Sequence, residues 1–114
     1  MHNTTLMTPA IAVALAVIAA PAIAAGDAAK GREKVQMCQG CHGIEGWRTA
    51  FPEVYRVPRL AGQHEAYLVR ALQAYRTGER NHPSMKAIAA SLSDQDMADV
   101  AAYYAQPATK TAGK

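Results

Sequence analysis

An all-α fold of about four to five helices is what this chain of 114 residues predicts, and three observations carry that expectation. Almost nowhere do apolar and polar residues alternate with the period of two that a half-buried strand needs. Two stretches instead repeat apolar residues at helical spacing: Tyr67, Leu68, Ala71, Leu72 and Tyr75, then Met97, Val100, Ala101 and Tyr104. Each has a boundary signal of its own, Gly78 after the first and Ser93 before the second.

The amino terminus stands apart. Residues 9–25 are apolar and small, and Pro21 breaks the run before Ala22-Ile23-Ala24-Ala25. This is a signal-peptide core followed by a small-residue cleavage site, so residues 1–25 are expected to be removed on export. Cleavage after Ala24 fits the A-x-A form, and cleavage after Ala25 leaves Gly26 first. The segment ahead of the core has no Lys or Arg, only His2 and the terminal amine. An uncleaved membrane anchor is therefore the competing reading. No cysteine lies at the cleavage site, which gives no support to a lipoprotein.

Removal of 25 residues from 114 leaves 89, enough for one domain. We expect it over residues 26–105, with a polar tail over 106–114. All 12 Lys and Arg and all 9 Asp and Glu follow Ala25, so the mature chain keeps the formal charge of +3. The charges are interspersed, which offers no footprint for nucleic acid. A core this small is marginal unless something staples it.

Within the domain, Asp27 is positioned to cap a helix running through Lys34 and Val35 towards Cys38. Residues 43–62 contain Gly46, Pro52 and Pro58 and are expected to be irregular. The clearest helix covers 63–77 and stops at Gly78. Asn81-His82-Pro83-Ser84 reads as a turn, with Ser84 capping a short helix through Leu92. Ser93-Asp94-Gln95-Asp96 is close to a capping box and opens the last helix. The chain has no internal repeats.

The most informative residues are Cys38-Gln39-Gly40-Cys41-His42. C-x-x-C-H reads as a covalent attachment site for c-type haem. Cysteines three apart lie about one helical turn from each other, so their sulfurs face the same way and can close thioethers on one porphyrin. His42 then falls beneath the iron as an axial ligand. Three other readings compete. A redox dithiol needs a βαβ frame that is missing here. A zinc site needs four ligands, and His42, His64 or His82 would have to complete it. A plain disulfide over so short a loop gains little chain entropy.

The order of features around this motif resembles a class I c-type cytochrome. A short helix ends in C-x-x-C-H, then come Pro58-Arg59-Leu60-Ala61-Gly62-Gln63, a Tyr-Leu helix, a methionine loop and a last helix ending Ala102-Tyr103-Tyr104. The similarity is to small bacterial periplasmic monohaem forms and to single halves of dihaem ones. The resemblance implies a small class I fold wrapped around one covalently bound haem c per chain. It implies thioethers at Cys38 and Cys41, His42 as the proximal ligand, and the Pro58 carbonyl accepting the other ring N–H of His42. Leu60 would pack on the haem face, and Gly31 would let the first helix approach the last against Tyr103 or Tyr104.

Five methionines compete for the sixth position. Met1 and Met7 leave with the signal segment, Met37 is tied to the proximal side, and Met97 lies on a core stripe. Met85 follows the proline turn where the family's ligand loop lies and is the expected ligand, with His82 as runner-up. His64 is expected at the surface. Trp47, Arg48, Tyr55, Arg56 and Arg59 lie in the long loop and are five candidates, with no choice made among them, for hydrogen bonds to the haem propionates. Trp47, Tyr55 and Val57 are candidates for a partner-binding patch.

His/Met ligation leaves iron no open site, so the expected function is periplasmic one-electron transfer between redox partner proteins rather than catalysis. Neither nucleic acid nor, after cleavage, the membrane is an expected partner. The alternative is a cytochrome subunit of a periplasmic dehydrogenase or oxidase complex. A haem-based sensor would need a vacant sixth position, which Met85 opposes.

Overall fold

The computed structural model describes residues 25–50 and 53–108. The expected signal segment, apart from Ala25, and the last part of the expected tail lie outside those residues. Five helices follow in order: α1 (Ala28–Lys34), α2 (Gln36–His42), α3 (Glu65–Thr77), α4 (Pro83–Ala90) and α5 (Asp94–Tyr104). No strand is formed among the described residues, and the only bridge pairs Arg48 with Arg56 in antiparallel sense. The all-α expectation holds.

Asp27 caps α1 as its sequence position suggests, its carboxylate accepting the amides of Ala29 and Lys30 at 2.8 and 3.3 Å. One helix was expected up to the cysteines; two are found. They part at Val35 (φ −77°, ψ 3°), which is 1% exposed and turned into the core. Hydrogen bonding runs on through the break. The Val35 amide reaches the Gly31 carbonyl, and the Val35 carbonyl accepts from Cys38 at 2.9 Å and Gln39 at 3.0 Å. The bond from Cys38 spans three residues and tightens the turn locally.

α1 lies against α5 closely enough that side chains do not fit between them. A Cβ added at Gly31 would overlap the Asp99 carbonyl and press on Tyr103 Cβ, and one at Gly26 would overlap the Ala98 carbonyl. Beside this contact Asp99 is fully buried. Its carboxylate accepts the Asp27 amide at 2.9 Å, Lys34 Nζ at 2.6 Å and Gln95 Nε2 at 2.8 Å. Lys34 also pairs with Asp96 at 2.6 Å. Every lone pair that matters is met, as a buried carboxylate requires.

α3 begins at Glu65, two residues later than expected, and Gly78 ends it in the left-handed conformation at φ 87°. Its start is held by the proline loop, where Gly62 (φ 81°) donates to the carbonyls of Tyr104 and Gln106 at the end of α5. Ser93 and Asp96 form the full capping box of α5. The expected cap of α4 needs correction. His82, not Ser84, caps it by accepting the Met85 amide, with Pro83 inside the first turn, and the helix stops at Ala90 rather than Leu92. Residues 43–62 are not wholly irregular either. Thr49 donates to Tyr55 and Val57 to Trp47, both at 3.0 Å, making a small hairpin-like ladder.

The buried apolar residues form two clusters. Val35, Leu68, Val100, Ala101, Tyr103 and Tyr104 make one. Ala89, Leu92 and Met97 make the other, and Leu72 packs on both. Met97 is thus a core residue, as its place on the stripe predicted.

Lys34, the Asp27 backbone amide and Gln95 hold the Asp99 carboxyl down at about 2, the backbone bond being the largest influence. A carboxyl near 4 in the unfolded chain but near 2 when folded stabilises the fold above pH 4. That contribution is lost as pH falls from about 4 towards 2. Asp99→Asn should cost about 1–3 kcal/mol at pH 7 in denaturant melts. It should also flatten the fall of stability below pH 4, where an unchanged acid limb would show that this carboxylate is not linked to folding.

Candidate functional site

A cavity of about 590 Å³ lies between α2, the hairpin loop, α3 and α4, with α5 behind it, within the size range of small-molecule and cofactor sites. The α3 stripe of Tyr67, Leu68, Ala71, Leu72 and Tyr75 faces this space, as do Val100, Ala101 and Tyr104 of α5. The helical periodicity read from sequence therefore marks a cavity wall as much as a core.

All six residues expected at a haem site border this one cavity: Cys38, Cys41, His42, Pro58, Leu60 and Met85. Cys38 and Cys41 come from the two ends of one turn of α2 and are not joined to each other in a disulfide. Cys38 is partly buried, and burial pushes its thiol up from the ordinary value. His42 closes α2, and its Nδ1 lies 2.7 Å from the Pro58 carbonyl oxygen. A carbonyl only accepts, so Nδ1 carries the proton and Nε2 keeps its lone pair. Leu60 packs beside the larger cluster. Met85 stands at the third position of α4, half-buried at the cavity edge.

The candidate propionate partners divide. Tyr55, Arg56 and Arg59 line the cavity, whereas Trp47 and Arg48 do not. Trp47 is 42% exposed on the outer side of the loop. Arg80, which sequence reasoning did not single out, joins the lining, its guanidinium 4.9 Å from the centre of the Tyr75 ring. Three arginines and no carboxylate border the cavity among the described residues, so it suits an apolar group bearing negative charge at its edge. His64 is exposed at the start of α3, as expected. The sequence gives no signal for Arg80, because its role depends on the fold returning it to Tyr75.

The residues fit a covalently held porphyrin in donor chemistry: two thiols one turn apart, an imidazole with the right nitrogen free, and a thioether, all on one apolar cavity. One further observation agrees. The Tyr104 hydroxyl is buried on the cavity wall with no hydrogen-bond partner. Desolvation, with the nearby Cys38 and Tyr103, drives its ionisation far above the usual phenol range. An orphaned buried hydroxyl is costly unless a group in the cavity meets it. The zinc reading has no such support, since no cluster of three or more His, Cys, Asp or Glu gathers for a metal ion among the described residues.

Comparison with known proteins bears on the family and the fold. Residues 28–106 match the family model described as cytochrome c. The chain is 44% identical over 82 residues to cytochrome c4 of Pseudomonas aeruginosa, covering 72% of this chain and 39% of that protein. It is 46% identical over 83 residues to cytochrome c-554(548) of Halomonas halodenitrificans, covering 70% of this chain and 95% of the relative. The crystal structure of reduced recombinant cytochrome c4 from Pseudomonas stutzeri superposes with a TM-score of 0.58 at 38% identity, over 73% of this chain and 46% of that one. The chain thus spans less than half of these two cytochrome c4 proteins, and nearly all of the shorter relative.

Proposed function

Because the chain belongs to the cytochrome c family, whose members transfer electrons and are not catalysts, we propose that it is a periplasmic one-electron carrier. In this reading it holds one haem c per chain, attached through Cys38 and Cys41, with His42 and Met85 as axial ligands. The observation that carries the proposal is the 2.7 Å contact between His42 Nδ1 and the Pro58 carbonyl. It fixes the ring's tautomer and orientation and makes Nε2 a stronger donor, the part a ligand histidine must play.

A haem bound here would supply the one-electron redox chemistry. The protein's own groups set how readily it does so. The Met85 thioether favours the ferrous state. Leu60, Leu68, Leu72 and Ile88 exclude water, which penalises the extra positive charge of the oxidised centre. Arg56, Arg59 and Arg80 offset the propionates at the cavity edge. With His42 and Met85 both serving as ligands, no position would be left open for a substrate, and the site would suit electron exchange with partner proteins rather than catalysis. No helix among the described residues is long and apolar enough to cross a membrane.

Cys38→Ala combined with Cys41→Ala should leave no haem on the chain after acid–acetone extraction; haem that stays with the polypeptide would refute the attachment. The haem-free chain should also be largely unfolded, because its two small clusters lose what joins them. A well-dispersed amide spectrum from it would contradict that.

The ligand pair is tested by the weak near-infrared band of sulfur bound to ferric iron. Met85→Ala should abolish the band, lower the reduction potential and admit carbon monoxide to the reduced protein. Met97→Ala should keep the band while costing about 2–5 kcal/mol of stability. The opposite pattern would move the ligand to Met97, and indifference of both would point to His82.

Export is tested by amino-terminal sequencing of the protein from the source cells, which should begin at Ala25 or Gly26. A product that retains Met7 and sediments with membranes would make this a tethered cytochrome.

A further inference from the structure

His82 does more than occupy a turn. Its Nδ1 accepts the backbone N–H of Met85 at 3.3 Å, and its carbonyl accepts the Lys86 amide at 2.8 Å. The residue thus holds the first turn of α4 from both its side chain and its main chain. Histidine is not among the usual helix caps, where shorter Ser, Asp or Asn side chains serve. The imidazole reaches further than these do. Its ring centre lies 4.4 Å from that of Tyr55 in the hairpin loop and 6.4 Å, edge-on, from that of Tyr75 on α3. One side chain therefore bonds the Met85 backbone and wedges between two separate walls of the cavity.

We propose that His82 is a positioning residue for Met85, holding its backbone in register with the hairpin loop and α3 so that the thioether stays at the iron. This inference rests on the reading of Met85 as the axial ligand. With the cap or the ring contacts removed, α4 opens its first turn more often, and an outside ligand competes more successfully with the thioether. The effect is read at the metal centre, because the group that His82 holds directly is the Met85 backbone, although its ring also touches Tyr75, which packs on the smaller core cluster.

Imidazole added to the oxidised haem-loaded protein is the probe, and loss of the sulfur-to-iron band reports the displacement. His82→Ala should keep the band in the absence of imidazole but bind imidazole about fivefold more tightly than the parent, the effect of one lost cap. His82→Asn, which restores an acceptor for the Met85 amide, should lie closer to the parent. Ser93→Ala removes the cap of α5 instead; it should lower the denaturation midpoint yet leave imidazole affinity within twofold of the parent. Parent-like affinity in His82→Ala, or equal tightening in Ser93→Ala, would overturn the positioning role while the ligand reading stood. A band that survives Met85→Ala would overturn the ligand reading and this inference with it. Loss of the low-spin spectrum in His82→Ala without imidazole would make His82 itself the ligand and refute both.

Discussion

At Gly31 the backbone of α1 approaches the Asp99 carbonyl of α5 so closely that any larger residue would have to push the helices apart. Lys34 and the Asp27 amide then converge on the buried Asp99 carboxylate at 2.6 and 2.9 Å. Steric fit sets how near the helices come, and the charged hydrogen bonds set their register. The remainder of the structure follows from that contact. α2 departs from a fixed point at Val35 and delivers Cys38, Cys41 and His42 to one face. The far end of α5 holds Gly62 through two carbonyls, which places Pro58 where His42 can reach it.

Between these fixed parts lies a space that the chain does not fill by itself. The two apolar clusters communicate mainly through Leu72, and α3 gives its most apolar stripe to the cavity. In a chain this short, such an arrangement is stable only with a large apolar occupant. A haem held through both cysteines would turn the weakness into the organising feature. The group that carries the electron would also be the larger part of the core, so affinity for the cofactor and folding would be one equilibrium.

Local chemistry was readable from the sequence wherever it depends on neighbours a few residues apart. The C-x-x-C-H motif, the Asp27 cap, the Gly78 stop and the Ser93–Asp96 box all answer to short-range geometry, and the structure has them. Gly31 was anticipated against α5, with Tyr103 rather than Tyr104 beneath it. What was missed depends on distant partners. His82 caps α4 with an imidazole, a type of cap that propensity does not favour, because Tyr55 and Tyr75 support the ring. The ladder between residues 47–50 and 53–57 has no alternation to announce it; Thr49 Oγ1 holds it instead, accepting from the Tyr55 amide at 2.9 Å and donating to the Glu53 carbonyl at 3.0 Å. Val35 interrupts the first helix because the core claims its side chain. Arg80 reaches the cavity by way of Tyr75, which no reading along the chain connects to it.

Intact-mass measurement of the protein purified from an exported fraction addresses the central claim most directly. The account predicts a single species, the processed chain plus the mass of one haem. A mass equal to the chain alone, or two hydrogens lighter because Cys38 and Cys41 have joined in a disulfide, would contradict it.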